Sequence, residues 1–174
     1  MRRWTILSEK PLRANKFRSS VKIRCRLPNG RTGTFYLRST GRLACALVLT
    51  RQKRIVLANQ FRLGPNRVLG ELPGGIVDRN ETPRKAIIRE VLEETGYRGR
   101  VHFLGKSFIN AWVRGLRYHY LITDAVCIAS PSLDDYEVSE PLLVSVKELK
   151  RRLKAGAMTD SETAFRGLHR LGLI

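Results

Sequence analysis

Alternating hydrophobic and polar positions near the start of the chain predict a β-hairpin. Residues 21–27 alternate apolar and basic side chains, which is typical of a strand with one face exposed to solvent. Residues 28–30 are Pro-Asn-Gly and favour a turn, and residues 34–38 supply the return strand. We therefore expect residues 21–38 to form two antiparallel strands.

The rest of the pattern predicts further strands, one central helix and two short helices near the end. The central helix is expected at residues 80–94, because Thr82 suits the N-cap, Pro83 suits the first helical position and Gly96 suits the position after the last turn. The other predicted elements are strands at residues 43–50, 55–60, 101–108 and 118–128, and helices at residues 146–154 and 161–171.

Length and composition narrow the class of protein. The chain has 174 residues, of which 43% are hydrophobic and 28% are charged, which suits one folded domain and argues against wholesale disorder. Since no apolar run approaches the roughly 18 residues of a membrane helix, we expect no membrane partner. Cys25, Cys45 and Cys127 are far apart and form no CxxC pair, which gives no support for a zinc ribbon and fits a reducing cytoplasm.

Positive charge is concentrated in the first part of the chain. The formal net charge is +18, and residues 1–70 hold 17 lysines and arginines but one acid, Glu9. Such a region attracts phosphates or nucleic acid, although a solvated surface on a basic protein explains it equally well. The weakest internal boundary lies near residues 39–42, so we expect a basic hairpin region at residues 1–40 and the main domain at residues 41–174.

The central helix carries the candidate chemistry. Glu90, Glu93 and Glu94 are spaced i, i+3 and i+4, so a helix places them on one face. A hard divalent cation would offset their mutual repulsion, since carboxylates are preferred ligands of Mg²⁺ and Mn²⁺. The alternative is an exposed acidic face with Arg89 in an ordinary surface ion pair.

The wider spacing of this segment resembles the signature of the Nudix hydrolases, G-x5-E-x7-R-E-U-x-E-E-x-G-U, in which U is aliphatic. Only the last position departs from the signature, because Tyr97 replaces an aliphatic residue. The matching positions are Gly75, Glu81, Arg89, Glu90, Val91, Glu93, Glu94 and Gly96.

The resemblance implies an α/β fold, the Nudix α/β/α sandwich around a mixed sheet, here with an N-terminal antiparallel β-hairpin extension. It also implies hydrolysis of a nucleoside diphosphate linked to another group, with Mg²⁺ or Mn²⁺ as cofactor. By position, Glu90 and Glu94 are implied as the main metal ligands, and Glu93 as a further or water-bridged one. Glu81 and Arg89 are implied to orient this face, and with Glu93 and Glu94 they complete the expected catalytic set.

The segments before the signature resemble the ADP-ribose and nucleoside-diphosphate-sugar pyrophosphatases. Residues 60–62, Gln-Phe-Arg, are similar to the R-Q-Y-R segment of that subfamily, and residues 71–75, Glu-Leu-Pro-Gly-Gly, are similar to its E-L-P-A-G segment. This likeness implies that a backbone carbonyl at Gly74 is a metal ligand. It also implies products of a nucleoside monophosphate and a sugar phosphate, and a homodimer built by crossing over of the hairpin at residues 21–38.

Candidate substrate contacts surround the signature. The resemblance places Arg54 and Arg62 near positions where arginines face the substrate, and Gly75 permits close approach of a phosphate. Trp112 suits either stacking on a base or packing in the core. Arg114 and Arg117 suit either a phosphate contact or an exposed surface position.

One stretch departs from the subfamily. Its members carry a glutamate that can serve as base in the stretch corresponding to residues 107–117, whereas residues 105–123 of this chain contain no carboxylate. Glu93 is the simplest substitute. Further acids follow at Asp134, Asp135 and Glu137, for which a solvated loop is the alternative.

Two other functions stay open. The basic N-terminal half favours a Nudix hydrolase that acts on RNA 5′ ends or caps, although the flanking motifs argue against it, so nucleic acid is not the favoured partner. A non-catalytic nucleotide-binding protein is the other alternative. The complete set of signature carboxylates argues against that one. We therefore expect a pyrophosphatase that acts on ADP-ribose or a related nucleoside diphosphate sugar.

Overall fold

A computed structural model of the chain describes residues 3–13, 19–133 and 138–174. These ranges contain nine strands and three helices. In chain order they are β1 (Thr5–Arg13), β2 (Ser19–Arg26), β3 (Thr32–Thr50), β4 (Arg54–Arg62), β5 (Arg67–Glu71), β6 (Gly74–Ile76), α1 (Pro83–Thr95), β7 (Tyr97–Asn110), β8 (Val113–Cys127), β9 (Ser139–Ser145), α2 (Val146–Lys154) and α3 (Ser161–Arg170).

The strands form one mixed sheet. Strands β1 to β5 pair in sequence order, each antiparallel to the next, and β9 adds to β4. Strand β8 runs parallel to β3 over most of its length and carries β7 antiparallel on its other side. Because one parallel pair lies inside an otherwise antiparallel sheet, the predicted mixed α/β architecture is confirmed.

Helices cover both faces of the sheet, and the alternation of side chains along β3 explains why. Leu47 packs in one buried cluster with Leu149 of α2 and Leu168 of α3. Its neighbour Val48 packs in a second cluster with Ile87 of α1. Successive residues of a strand point to opposite faces, so one apolar run supplies the core on both sides.

The predicted N-terminal hairpin is present, but it is part of a larger sheet. Strand β2 pairs with the first half of β3, and β1, which the sequence pattern did not predict, pairs with the free side of β2. The two strands expected at residues 34–38 and 43–50 form the single strand β3. Gly41 takes a positive φ of 69° at an irregularity in the pairing with β8, and the strand continues on both sides of it. The boundary expected at residue 40 lies inside this strand, and the two-part division stays a prediction.

The central helix begins three residues later than predicted and ends where its signals indicate. The Thr82 side chain accepts a hydrogen bond from the Lys85 N–H at 3.3 Å, which caps the helix before Pro83. Gly96 has a positive φ of 74° and donates its N–H to the Leu92 carbonyl at 2.8 Å. A Cβ at this position would collide with the Ala129 carbonyl, so both conformation and packing require glycine here.

The stretch at residues 107–117 is the tip of the long β7–β8 hairpin, so this part of the chain is strand and tight turn. Asn110 Oδ1 accepts the Trp112 N–H at 2.8 Å and closes the turn. Helix α2 has the predicted bounds, and α3 ends one residue before the predicted position. No helix in the described ranges has the length and hydrophobicity needed for a bilayer crossing.

Candidate active site

Arg89 is the centre of an ion-pair network on α1. Its Nε and Nη2 donate to the two carboxylate oxygens of Glu81 at 3.3 and 3.2 Å. Its Nη1 donates to Glu93 Oε2 at 2.9 Å and lies 3.0 Å from Glu90 Oε1. These three carboxylates raise the pKa of Arg89, with the Glu81 hydrogen bond as the largest cause and burial opposing it. One guanidinium fork thus holds three acids that would otherwise repel one another.

The loop before α1 is anchored to the sheet, which fixes the position of Glu81. Arg42 of β3 donates through Nη2 to the backbone carbonyls of Asp78 and Glu81 at 3.2 and 3.1 Å. Arg89 adds a hydrogen bond to the Ile76 carbonyl at 3.3 Å. These hydrogen bonds therefore join α1, the loop before it, and strands β3 and β6.

Two glycines allow the acids of α1 to lie directly against the β6 backbone. The Glu90 carboxylate occupies the space that a Cβ on Gly75 would need. A Cβ on Gly74 would collide with the Ala44 carbonyl of β3. The buried Glu94 accepts the Gly74 N–H at 2.9 Å through Oε2. A larger residue at Gly74 would force β6 away from the β3 backbone, whereas a larger residue at Gly75 would displace the Glu90 carboxylate.

Carboxylate and peptide oxygens, the donor types found here, are those that a hard divalent cation takes as ligands. Glu90 and Glu94 both contact the Gly74-Gly75 backbone. Two carboxylates and a backbone carbonyl therefore lie close together, in a space that a side chain on either glycine would fill. Within the described ranges, no group of three or more His, Cys, Asp and Glu side chains is placed close enough to hold a metal ion. In this arrangement Arg89 holds Glu90 and Glu93.

A cavity of about 190 Å³ opens beside this glycine pair. Both glycines line it, together with Arg62 of β4, Arg117 of β8, and Thr159 and Asp160 from the turn before α3. Arg117 of β8 lies 3.3 Å from Asp160, and Arg62 of β4 pairs with Glu71. Thr159 donates its hydroxyl to the other oxygen of Glu71. The cavity thus presents two arginines beside the glycine pair that Glu90 and Glu94 contact.

Burial shifts the pKa of two groups that line the cavity. It raises the pKa of Asp160, and the Arg117 guanidinium opposes that rise. Burial also raises the pKa of the Cys45 thiol well above its ordinary value, so this cysteine is a protonated thiol at neutral pH and a poor nucleophile.

The structure does not bring three of the predicted substrate contacts to this cavity. Arg54 lies at the opposite end of β4 from Arg62 and donates to the Leu143 carbonyl at 2.8 Å. Trp112, whose residue is 61% exposed, lies 6.4 Å from Phe35 between ring centroids, at the tip of the β7–β8 hairpin. Arg114 forms a two-point ion pair with Glu9 of β1, with both distances 2.9 Å.

Sequence reasoning missed the partners of the two cavity arginines. Glu71 begins the Glu-Leu-Pro-Gly-Gly segment, and Thr159 and Asp160 precede the last helix, but no spacing along the chain connects them. They meet because the turn before α3 lies against the end of β5 and against β8. The acids Asp134, Asp135 and Glu137 lie outside the described residues.

Comparisons with known proteins agree with this architecture. A family model described as the NUDIX domain matches residues 40–164. The chain is 29% identical over 173 residues to a CMP-5′-(N-acetyl-N-hydroxy-3-aminopropyl)phosphonate hydrolase of Streptomyces rubellomurinus, which covers 98% of this chain and 84% of the relative. It is 23% identical over 147 residues to an ADP-ribose pyrophosphatase of Bacillus subtilis, which covers 80% of this chain and 77% of the relative.

A solved structure supports the fold. The crystal structure of an ADP compounds hydrolase superposes with a TM-score of 0.80 at 16% sequence identity, covering 100% of this chain and 98% of that one. At this identity the likeness concerns the arrangement of the sheet and its helices.

Proposed function

The chain belongs to the Nudix family of hydrolases, and we propose that it hydrolyses the diphosphate of ADP-ribose or a related nucleoside diphosphate sugar to a nucleoside monophosphate and a sugar phosphate. The observation that carries this proposal is the contact of Glu90 and Glu94 with the Gly74-Gly75 backbone, beside a cavity that two arginines line. The likeness to an ADP-ribose pyrophosphatase supports the substrate class.

Glu90, Glu94 and the Gly74 carbonyl are the residues that would hold Mg²⁺ or Mn²⁺, with Glu93 as a further ligand or through water. When bound, a divalent cation neutralises diphosphate charge and makes a bound water more acidic. Glu81 and Arg89 keep this acidic face in position, because the Arg89 fork holds Glu81, Glu90 and Glu93 together.

The arginines of the cavity suit the other side of a diphosphate. Arg62 and Arg117 each have one acidic partner, but a guanidinium carries five N–H donors and keeps donors for phosphate oxygens. Because Glu71 and Asp160 hold these side chains, their positions are fixed before the substrate arrives. Such preorganised cations stabilise the negative charge that develops on the leaving phosphate.

Glu93 is the proposed general base. Its side chain is 42% exposed, and Arg89 fixes one carboxylate oxygen at 2.9 Å. In the proposed reaction the water oxygen forms a bond to one phosphorus, the bridging P–O bond breaks, and the proton of the water passes to Glu93. The bridging oxygen leaves on the second phosphate, so the products are the two monophosphates.

A CMP-linked substrate is the second candidate. The relative that acts on a CMP derivative matches 98% of this chain, and its identity is higher than that of the ADP-ribose pyrophosphatase. Both candidates require the same acids and arginines. They differ in the nucleotide base and in the group attached to the second phosphorus.

Product analysis by mass spectrometry tests the proposal. The protein is incubated with Mg²⁺ and, in separate reactions, ADP-ribose, CDP-linked and other nucleoside diphosphate sugars, dinucleotides and capped RNA. Glu94→Gln is the test variant, because an amide oxygen can still accept the Gly74 N–H while the charge is lost. Glu148→Gln is the matched control, since Glu148 is an acid on α2 outside this cavity.

We expect AMP and ribose phosphate from ADP-ribose, a loss of about 10²- to 10³-fold in Glu94→Gln, and no loss in Glu148→Gln. Cleavage of CDP-linked compounds alone would move the assignment to the second candidate. Cleavage of capped RNA alone, or equal activity in both variants, would overturn the proposal.

A homodimer and a cytoplasmic location remain predictions. Strand β1 lies at an edge of the sheet and pairs only with β2 among the described strands, so it offers backbone hydrogen-bonding groups to a second copy. Light scattering coupled to size exclusion measures the mass directly. A mass near 20 kDa at micromolar concentration would contradict the dimer.

A further inference from the structure

Strands β1, β2 and the first half of β3 form the N-terminal part of the sheet, which we call the N-terminal sheet. Its outward face carries a continuous set of positive charges. In the register of β1, β2 and β3, Lys10 lies opposite Lys22, which lies opposite Tyr36, and directly opposed residues share a face. We call this surface the basic face; its cations and its aromatic residue, all exposed, are Lys10, Lys22, Arg24, Arg26, Arg38 and Tyr36.

No acidic side chain from these strands interrupts the basic face. Val21, Ile23 and Cys25 of β2 are buried on the opposite face of the sheet. Glu9, the one acid of residues 1–70, lies opposite Ile23 and therefore shares that buried side, where Arg114 holds both its carboxylate oxygens at 2.9 Å. Among the described residues of β1, β2 and the first half of β3, the basic face therefore carries no acidic side chain.

The arrangement of these groups suits a chain of phosphates. Alternate residues of a strand are about 6.6 Å apart, so Lys22, Arg24 and Arg26 form a regular row. A groove of about 570 Å³ runs across the strands and is lined by Lys10, Lys22 and Arg24. The hydroxyls of Ser8, Thr32 and Thr34 line the same groove, so it presents both charged and neutral hydrogen-bond donors to phosphate oxygens.

Tyr36 adds a surface for stacking at one side of this groove. Its residue is 60% exposed, and Lys22 Nζ lies 5.9 Å from the centroid of its ring. An exposed ring between cations is the combination that binds unpaired bases together with their phosphates.

We infer that the basic face binds single-stranded nucleic acid. Charge complementarity selects a polyanion, and two copies of this chain would repel each other if their basic faces met. The exposed aromatic ring favours unpaired bases, because the bases of a duplex are already stacked on one another. A bilayer is disfavoured, since the face has no cluster of exposed aliphatic side chains to insert. This binding is separate from hydrolysis and uses none of the proposed active-site residues.

Fluorescence anisotropy with the full chain and a fluorescein-labelled 12-nucleotide oligouridylate tests the inference, between 50 and 300 mM KCl. Lys22→Gln/Arg24→Gln is the test variant. Lys147→Gln/Lys150→Gln is the matched control, because it removes the same charge from exposed positions on α2. Thermal unfolding by circular dichroism checks that both variants are folded.

We expect Lys22→Gln/Arg24→Gln to weaken binding roughly tenfold at 150 mM KCl and to reduce the slope of log K against log salt by about 1.4. The control should change the affinity less than threefold. Equal weakening in both variants would mean that net charge alone attracts the RNA, and would overturn the inference.

Tyr36 provides a second, uncharged test. Tyr36→Ala should weaken binding about fivefold or more, whereas Tyr36→Phe should retain it, since stacking needs the ring and not the hydroxyl. A 12-base-pair duplex and vesicles of phosphatidylserine and phosphatidylcholine serve as competing partners. Tighter binding to either of these than to oligouridylate, or no binding of oligouridylate at 150 mM KCl, would contradict the inference.

Discussion

The charged side chains on the basic face of the N-terminal sheet are exposed to solvent, whereas those around α1 are partly buried and form ion pairs with one another. On the basic face, Lys22 and Arg24 are exposed on the side opposite the small core of this sheet. Around α1, the side chains of Glu81 and Glu90 are only 16% and 14% exposed and share the Arg89 guanidinium. Exposed charges cost little to keep and stay available to a partner, while partly buried ones require compensation from within the fold.

This difference separates two kinds of mutational effect. Removing a charge from the exposed sheet changes binding and leaves the fold almost untouched. Removing one from the α1 network leaves other charges without a partner in a partly dry site, so position, activity and stability change together. The following predictions test this contrast, beginning with the largest expected effect.

Arg89→Gln should lower kcat/KM for ADP-ribose by about a hundredfold and reduce the free energy of unfolding by about 1–3 kcal/mol, since three carboxylates lose their common partner. Arg89→Lys should restore part of the stability but little activity, because an ammonium cannot form the fork. Steady-state kinetics and urea unfolding measure the two effects.

The control is Arg151→Gln. Arg151 forms a similar fork with Glu148 at 2.7 and 2.8 Å, but its side chain is 69% exposed. We expect kcat/KM and the urea midpoint to stay unchanged. Equal losses in the two variants would refute the idea that burial decides the effect.

His119 should make stability depend on pH. Burial lowers its pKa from 6.5 to about 4; nearby Glu162 opposes this, and Arg166 and Arg117 add to it. The folded protein therefore stays neutral at His119 while the unfolded chain takes up a proton. Between pH 6.5 and 4 the unfolded state binds more protons, so stability should fall by roughly 3 kcal/mol as the pH is lowered.

Urea unfolding at several pH values measures this slope in the wild type and in His119→Gln. The glutamine retains hydrogen-bonding groups for Thr163 and Ser107, which contact the two ring nitrogens at 2.7 and 3.0 Å. The variant should lose most of the slope. Burial raises the pKa of Glu162, but hydrogen bonds from Ser107 and Arg166 lower it overall. In the variant, Glu162 should therefore leave a smaller slope of stability against pH with the same sign. An unchanged slope would show that His119 is not the group that titrates.

Glu9→Gln should have the smallest effect. The pKa of Glu9 is lowered by its hydrogen bond with Arg114, but the pair is exposed, so the urea midpoint should not change measurably. The affinity for oligouridylate should rise by about twofold, because one negative charge is lost from β1, a strand that carries part of the basic face. A large loss of stability would mean that this pair holds β1 in place.

Local signals predicted the central helix and the acids on it. Thr82, Pro83 and Gly96 act within one or two turns, so their effect is visible in the sequence. The spacing of Glu90, Glu93 and Glu94 likewise determines their common face. Strand β1 and the continuity of β3 through Gly41 were not predictable, because they depend on pairing with segments far along the chain.

The sequence by itself determined the family, the acidic face of α1 and the excess of positive charge in the first 70 residues, since each is a matter of composition or of spacing within a few turns. The tertiary structure decided which arginines line the cavity beside those acids. It brought Arg62 and Arg117 to the cavity, turned Arg114 toward Glu9, and left Arg54 at the far end of β4. Strand register and sheet order set these positions, and both follow from contacts between residues that are distant in the chain.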